Sequence, residues 1–239
     1  MKQLSIAFNA PNINIPINYH HEVQSLIYHL LRDADDEVLH DHVTGVGMRQ
    51  YKLFTFSSLR GRSSVRNKRI TFDEIFYLDV RSVRDVLCDS LESALKKSSE
   101  LQLCGQELTL HFVKSEERTI MENKLHIKML SPLEVHTTDA DNRTSYFTPL
   151  DQEFSKQINA NFKRKWTAYT GNPPVGDIDI LAINVSAKDK YVTSYKGIYI
   201  NGWRGEYTLS GNPEYLNFLY HGGLGARNSD GFGMFEVIS

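Results

Sequence analysis

Cysteine is scarce in this chain. Cys88 and Cys104 are the only two, and they carry no metal-ligand spacing. They read as reduced, structural thiols of a cytoplasmic protein. Long apolar runs are missing as well. No stretch reaches the ~18 consecutive apolar residues of a membrane span, and residues 1–10 hold no extended apolar segment, so neither a membrane anchor nor a signal peptide is expected. Positive charge is not in excess: 27 Lys and Arg stand against 29 Asp and Glu, a formal net charge of −2. A nucleic-acid partner would have to be held by a local basic surface, with an affinity that falls as salt rises. What the chain does have is 239 residues, 41% of them hydrophobic. That is enough for one large domain or two small ones, each with a real core.

The most distinctive stretch is near the end: Gly223-Leu224-Gly225-Ala226-Arg227-Asn228-Ser229-Asp230-Gly231-Phe232-Gly233. Glycine permits positive φ and close backbone approach. Rows of backbone N–H groups in such loops favour phosphate, so the amides here are expected to face an anion, with Arg227 adding charge. A dinucleotide loop would need its third glycine earlier and a helix behind it; here an alternating apolar segment, residues 232–238, follows. A P-loop would need Gly-Lys-Ser/Thr, which is absent. A plain glycine-rich hairpin remains the structural alternative, and a phosphate- or nucleotide-binding metabolic enzyme the functional one.

The rest of the chain alternates strand and helix signals. Leu4, Ile6 and Phe8 alternate as a strand does. Val23, Leu26, Ile27, Leu30 and Leu31 form a helical stripe behind Asn18, a candidate N-cap. Tyr28 falls on the flank of that stripe. Residues 51–57 and 74–80 read as strands, with a basic loop over residues 60–69 between them. A second helical stripe runs from Val83 to Leu95, with Glu92 and Lys96 as an i,i+4 pair, and Leu108, Leu110 and Phe112 form a fourth strand. The order is β-α-β-β-α-β, the ferredoxin-like pattern. A polar stretch, residues 116–123, marks a boundary. The second half repeats the order: a strand from Leu125, a helix carrying Phe154, Ile158, Phe162 and Trp166, strands over 178–185 and 197–209, a short helix from Pro213, and a last strand, with an extra hairpin near Asn142. Lys163-Arg164-Lys165 reads as a solvated helix face. The expected fold is therefore α+β: two tandem ferredoxin-like (RRM-like) domains, residues 1–120 and 121–239.

Gly-Leu-Gly, five residues, then Gly-Phe-Gly at the chain end resembles the C-terminal signature of the CRISPR-associated repeat-RNA processing endoribonucleases of the repeat-associated mysterious protein superfamily. Further matches are Leu26-Ile27-Tyr28, Leu39-His40, Tyr51-Lys52-Leu53-Phe54-Thr55-Phe56-Ser57, Ser131-Pro132-Leu133 and Glu153-Phe154. Together they span nearly the whole chain. The resemblance implies a catalytic set of Tyr28, His40 and Lys52. Residues 41–50 form a longer gap than the family pattern has and contain His42, so either histidine can fill the role.

The implied chemistry suits those residue types. RNA carries its own nucleophile, the 2′-hydroxyl. In-line attack on the adjacent phosphate needs a base, an acid for the departing 5′-oxygen, and a cation beside the phosphate. Histidine titrates near neutrality and serves as acid or base; lysine supplies electrostatic stabilisation; tyrosine positions the nucleophile or shares the proton transfer. No metal or other cofactor is expected. The RNA-binding candidates are Gly223, Gly225, Arg227, Asn228, Gly231 and Gly233 in the glycine loop, and Arg60, Arg62, Arg66 and Lys68 in the basic loop. The expected partner is CRISPR repeat RNA, with subunits of a CRISPR effector complex and a second copy of the chain as further partners. A non-catalytic RNA-holding subunit of the same superfamily is the alternative.

Overall fold

The computed structural model describes residues 1–34, 43–46, 49–195 and 197–239, with the side chains of residues 33, 34, 43–46, 49 and 50 left aside. Its first sheet is built around β1 (Lys2–Asn9), which lies antiparallel between β7 (Arg69–Ser82) and β9 (Gln106–Glu117). β2 (Asn14–Pro16), β5 (Phe54–Phe56) and β6 (Arg60–Arg66) add to β7, and β8 (Leu101–Leu103) closes the far edge on β9. Two helices, α1 (His20–Ala34) and α2 (Asp85–Lys97), pack with this sheet. The reasons are those the pattern predicts. Leu4, Ile6 and Phe8 point into one core with Val23, Ile27, Leu30 and Leu31 of α1 and Leu87, Leu91 and Leu95 of α2. Acidic Asp85 opens α2 and Lys96 and Lys97 close it, which complements the helix dipole. Val86 stays on the outside of α2, 46% exposed.

The basic segment is not a loop. β6 and β7 form a hairpin whose two turn residues, Asn67 and Lys68, both have positive φ, 53° and 59°. That is the twist a two-residue hairpin requires. β6 is exposed along almost all its length, so it lacks the apolar alternation that marks a strand in sequence. Ahead of it, the strand expected over residues 51–57 is broken: β3 (Val43–Val46) pairs with β4 (Arg49–Lys52), and β5 starts anew at Phe54 on a different sheet.

The second sheet runs β13–β16–β10–β17, formed by Asp179–Asn184, Glu206–Ser210, Lys124–Met129 and Phe235–Val237. α3 (Gln152–Thr170) and α4 (Pro213–Gly222) belong to its core, with Phe162 and Trp166 of α3 meeting Tyr215 of α4 at ring-centroid distances of 5.0 and 4.7 Å. Asn212 caps α4, its side-chain oxygen accepting from the Glu214 amide, with Pro213 at the first turn. Two hairpins stand apart from this sheet: β11 (His136–Thr138) with β12 (Thr144–Tyr146), and β14 (Lys190–Tyr195) with β15 (Ile198–Trp203).

The two sheets are joined by polar contacts in a dry seam. Arg81 of β7, 2% exposed, donates to the Phe235 carbonyl and stacks on the Tyr220 ring, 3.7 Å from guanidinium carbon to centroid. Thr55 donates to the Phe232 carbonyl at 3.0 Å, and the Ser58 amide to the Leu130 carbonyl at 3.1 Å. Among the described residues, no helix is long and apolar enough to cross a membrane.

Candidate active site

Gln24 and Tyr28 lie one turn apart on α1, so both face the same way. They meet the glycine loop. The Gln24 side-chain amide donates to the Ser229 carbonyl at 2.8 Å and to the Asp230 carboxylate at 2.7 Å, and its oxygen accepts from the Tyr195 hydroxyl. The Tyr28 hydroxyl oxygen accepts from Lys52 Nζ at 3.2 Å and from Gln24 at 3.3 Å. Lys52 arrives from the end of β4 and sits 4.3 Å from the Tyr28 ring centroid. Burial pushes the Tyr28 hydroxyl up to about 12, with the Asp230 charge adding and bonds from Ser229 and Gln24 opposing. Tyr28 is thus a neutral phenol near pH 7, with an O–H to donate. Burial lowers Lys52 from its ordinary value, against the opposing pull of Asp230.

Tyr28 and Lys52 are therefore brought together from distant parts of the chain. His40 and His42 lie outside the described residues. In the sequence they fall between α1, which carries Tyr28, and the β3–β4 hairpin, which carries Lys52.

The glycine loop is folded differently from the expectation. Several of its amides are turned inward. Those of Leu224, Ala226, Gly231 and Gly233 donate to the carbonyls of Gly233, Glu134, Asn228 and Pro132, at 2.9–3.0 Å. Gly223 closes α4 on the Leu219 carbonyl. Gly223, Gly225, Gly231 and Gly233 are all buried. The glycines serve close packing: a Cβ on Gly231, at φ +89°, would lie 2.4 Å from the Phe56 ring, and one on Gly233, at φ +77°, 1.9 Å from the Leu224 carbonyl oxygen. Asn228 is turned inward too, donating to the carbonyls of Leu224 and Phe232 at 2.8 and 3.1 Å. What the loop presents to α1 is its middle: Arg227, Ser229 and Asp230, with Arg227 and Asp230 paired at 3.5 Å.

The solvated reading of residues 163–165 fails at one position. Lys163 and Arg164 are exposed, but Lys165 is 3% exposed and donates to the carbonyls of Gly223 and Gly225 and to Asn228 Oδ1. His221 is buried, its Nε2 on the Arg118 carbonyl at 2.9 Å, and burial lowers it to about 4.

Of the basic hairpin, Arg60 is committed to Asp79 at 2.6 Å and Arg62 pairs with Asp73 at 3.0 Å, while Arg66 and Lys68 are exposed at its tip. Sequence reasoning missed a second basic surface. A groove of about 430 Å³ opens between the sheets, lined by Tyr19, Ser58, Arg60, Lys128, Tyr191 and Arg204. Arg204 donates to the Ser58 hydroxyl at 3.0 Å and lies 5.1 Å from the Tyr191 ring centroid. No run of charge announces it, because its cations come from segments far apart in the chain. Gln24 had a signal: it stands four residues before Tyr28. Lys165 had one too, seven residues after Ile158 and three after Phe162, within the apolar stripe. Among the described residues, no three His, Cys, Asp or Glu side chains converge as metal ligands.

Comparison with known proteins bears on what this arrangement is for. The chain is 24% identical over 230 residues to the CRISPR-associated endoribonuclease Cas6 of Pyrococcus furiosus, covering 93% of this chain and 83% of that one. It superposes on a solved Cas6-related protein from Pyrococcus furiosus with a TM-score of 0.87 at 21% identity, covering 99% of this chain and 98% of that one. A solved RAMP protein described as binding different RNA substrates gives 0.86 at 19% identity, over the full length of both. The family described as CRISPR associated protein Cas6, C-terminal, matches residues 114–237, just over half of the chain, and the protein belongs to that Cas6 family.

Proposed function

We propose that this protein is a metal-independent endoribonuclease that cuts CRISPR repeat transcripts into guide RNAs. The 2′-hydroxyl attacks the adjacent phosphate in line, leaving a 5′-hydroxyl on one product and a 2′,3′-cyclic or 3′ phosphate on the other. The observation that carries the site is the convergence of Lys52 and Tyr28 at 3.2 Å. A neutral phenol beside an ammonium is suited to a phosphate in transit: Tyr28 donates its proton to a reacting oxygen, and Lys52 offsets the charge that builds on the phosphoryl group. The neutral phenol is not a base near pH 7, and Lys52 is assigned the electrostatic role. The role of base is left to His40 or His42, since histidine as a residue type serves as a base near neutrality.

The order of elements supports reading the chain as two tandem ferredoxin-like halves, 1–120 and 121–239. In the first, the β9–β1–β7 core is flanked by β5 and β6; in the second, β17–β10–β16–β13 repeats that arrangement. With the added short strands and hairpins set aside, the order of elements in each half is compatible with β-α-β-β-α-β. Arg204 and Lys128 in the groove, Arg66 and Lys68 at the hairpin tip, and Arg227 beside the site are the proposed phosphate contacts. The reading places the enzyme in the cytoplasm, with a second copy of the chain and subunits of a CRISPR effector complex as its further partners.

The test is the double variant His40→Ala, His42→Ala. It binds repeat RNA and loses most cleavage. Unchanged cleavage removes both histidines from the mechanism, and wild-type protein that binds repeat RNA without cutting it is an RNA-holding subunit instead.

A further inference from the structure

Lys165 is the one residue on the inner face of α3 that does not belong there by polarity. Its neighbours on that face, Phe162 and Trp166, are core side chains. A lysine buried to this degree is costly unless its charge is met. Here its donors are all met by neutral oxygens: an ammonium has three N–H bonds, and three acceptors surround it, the Gly223 carbonyl at 2.7 Å, Asn228 Oδ1 at 2.9 Å and the Gly225 carbonyl at 3.2 Å. The neutral amine would offer two donors and turn a lone pair towards an oxygen. Burial, with Arg164 adding to it, lowers Lys165 to about 7, and the three acceptors favour the charged form against that.

All three acceptors belong to the glycine loop, and they sit where the loop must be gathered. Gly223 and Gly225 begin it. Asn228, at its middle, also ties down the carbonyls of Leu224 and Phe232. The next two residues, Ser229 and Asp230, are those that hold Gln24, and Gln24 holds Tyr28. Each step from the ammonium to the phenol is a contact within hydrogen-bond distance or a single peptide step. The two N–H bonds of the Gln24 amide are shared among the Ser229 carbonyl, Asp230 and the Tyr28 hydroxyl, and the Ser229 side chain also bonds the phenol.

We propose that Lys165 is a positioning residue for RNA cleavage: its ammonium gathers the glycine loop so that Ser229 and Asp230 set Gln24, and through it the Tyr28 hydroxyl, in place. This rests on the reading that Tyr28 belongs to the catalytic set. Lys165 touches no substrate. Its effect falls on the rate of the chemical step more than on RNA affinity, because four of the five proposed phosphate contacts, Arg66, Lys68, Lys128 and Arg204, lie outside the loop.

The experiment compares wild type, Lys165→Met, Gln24→Leu and Tyr28→Phe. Three quantities are read: the single-turnover cleavage rate at saturating repeat RNA, the RNA dissociation constant, and hydrogen exchange at the loop amides of Leu224, Ala226, Gly231 and Gly233. Methionine keeps the length of the stem and removes the donors. Lys165→Met is expected to speed exchange at those amides and to slow cleavage by about 10–100-fold, the scale of a misplaced catalytic group, with the dissociation constant moved far less than the rate. Gln24→Leu slows cleavage comparably with the loop amides still protected, since it cuts the relay beyond the loop. Opened loop amides with wild-type cleavage in Lys165→Met, while Tyr28→Phe is impaired, overturn the positioning role and leave the catalytic reading standing. Wild-type cleavage in Tyr28→Phe overturns the catalytic reading itself, and the exchange data still report whether Lys165 holds the loop. Should Lys165→Met not fold, the wild-type ammonium answers by nitrogen-15 NMR: a lysine NH3+ signal protected from solvent exchange is expected at neutral pH, and its absence overturns the proposal.

Discussion

Lys52 Nζ donates to the Tyr28 hydroxyl at 3.2 Å, across a gap of 24 residues, and the lysine also rests on the face of the tyrosine ring. The phenol oxygen accepts from Lys52 and lies 3.3 Å from the shared Gln24 amide nitrogen, and the neutral phenol keeps its own proton to give. Removing the lysine leaves the phenol in place through Gln24 and deletes the positive charge. Lys52→Met is therefore expected to lower the single-turnover rate by about 10²–10³-fold, the usual effect of one lost electrostatic donor. Repeat RNA binding should persist. A rate within error of wild type would remove Lys52 from the mechanism.

The glycine loop predicts a contrast in stability. Gly233→Ala forces a Cβ into the Leu224 carbonyl and Gly231→Ala one into the Phe56 ring, both at positive φ. Backbone strain and overpacking together cost about 2–5 kcal/mol at each. Gly197 also has positive φ but open space around its Cβ position, so Gly197→Ala costs about 1–2 kcal/mol. Denaturant unfolding of the three variants checks the order; equal losses would show that backbone strain alone governs.

His20 predicts an acid limb. Its ring is 1% exposed and stands among Tyr19, Phe56, Tyr191 and Phe232, and neither ring nitrogen has a partner among the described residues. Burial, reinforced by Arg204, lowers it to about 3 from an ordinary 6.5. The unfolded chain takes up the proton first, so stability is whole above about pH 6.5 and falls as pH drops towards 3. His20→Phe keeps a ring in the aromatic box and removes the two unpaired nitrogens. It is expected to shift the acid-unfolding midpoint to lower pH and to add about 1–3 kcal/mol at neutral pH. The remaining acid sensitivity belongs partly to His221, lowered to about 4. An unmoved midpoint in His20→Phe would contradict the assignment.

Arg204 and Lys128 predict salt dependence. If each meets one phosphate, Arg204→Ala and Lys128→Ala both weaken RNA binding at low salt and reduce the slope of log affinity against log salt by about 0.7 each, the single-strand value. Binding titrations at four or five salt concentrations measure this directly. An unchanged slope would place the RNA elsewhere.

The sequence was most readable where one face is apolar. The stripes of α1 and α3 and the alternation of β1 are buried as their periodicity requires. β6 was unreadable as a strand because both of its faces are largely exposed, and β14 likewise carries Lys190, Val192 and Ser194 outward, without a strong alternation. In the site, Tyr28 and Lys52 were legible through family resemblance alone, since nothing in their spacing joins a helix flank to a strand end. The glycine loop was visible, but the inward bonds of several of its amides were not. Close packing and phosphate binding both demand glycine, and only the partners of the amides tell them apart. Lys165 was lost in a run of three basic residues, two of which are solvated.

The central claim, attack by the RNA's own 2′-hydroxyl, is tested most directly by cleavage of repeat RNA in EDTA, beside a copy carrying a single 2′-deoxy nucleotide before the cut. The account predicts that the all-RNA strand is cut and the deoxy strand is bound but left whole. Cleavage of the deoxy strand, or loss of all cleavage in EDTA with RNA still bound, would contradict it.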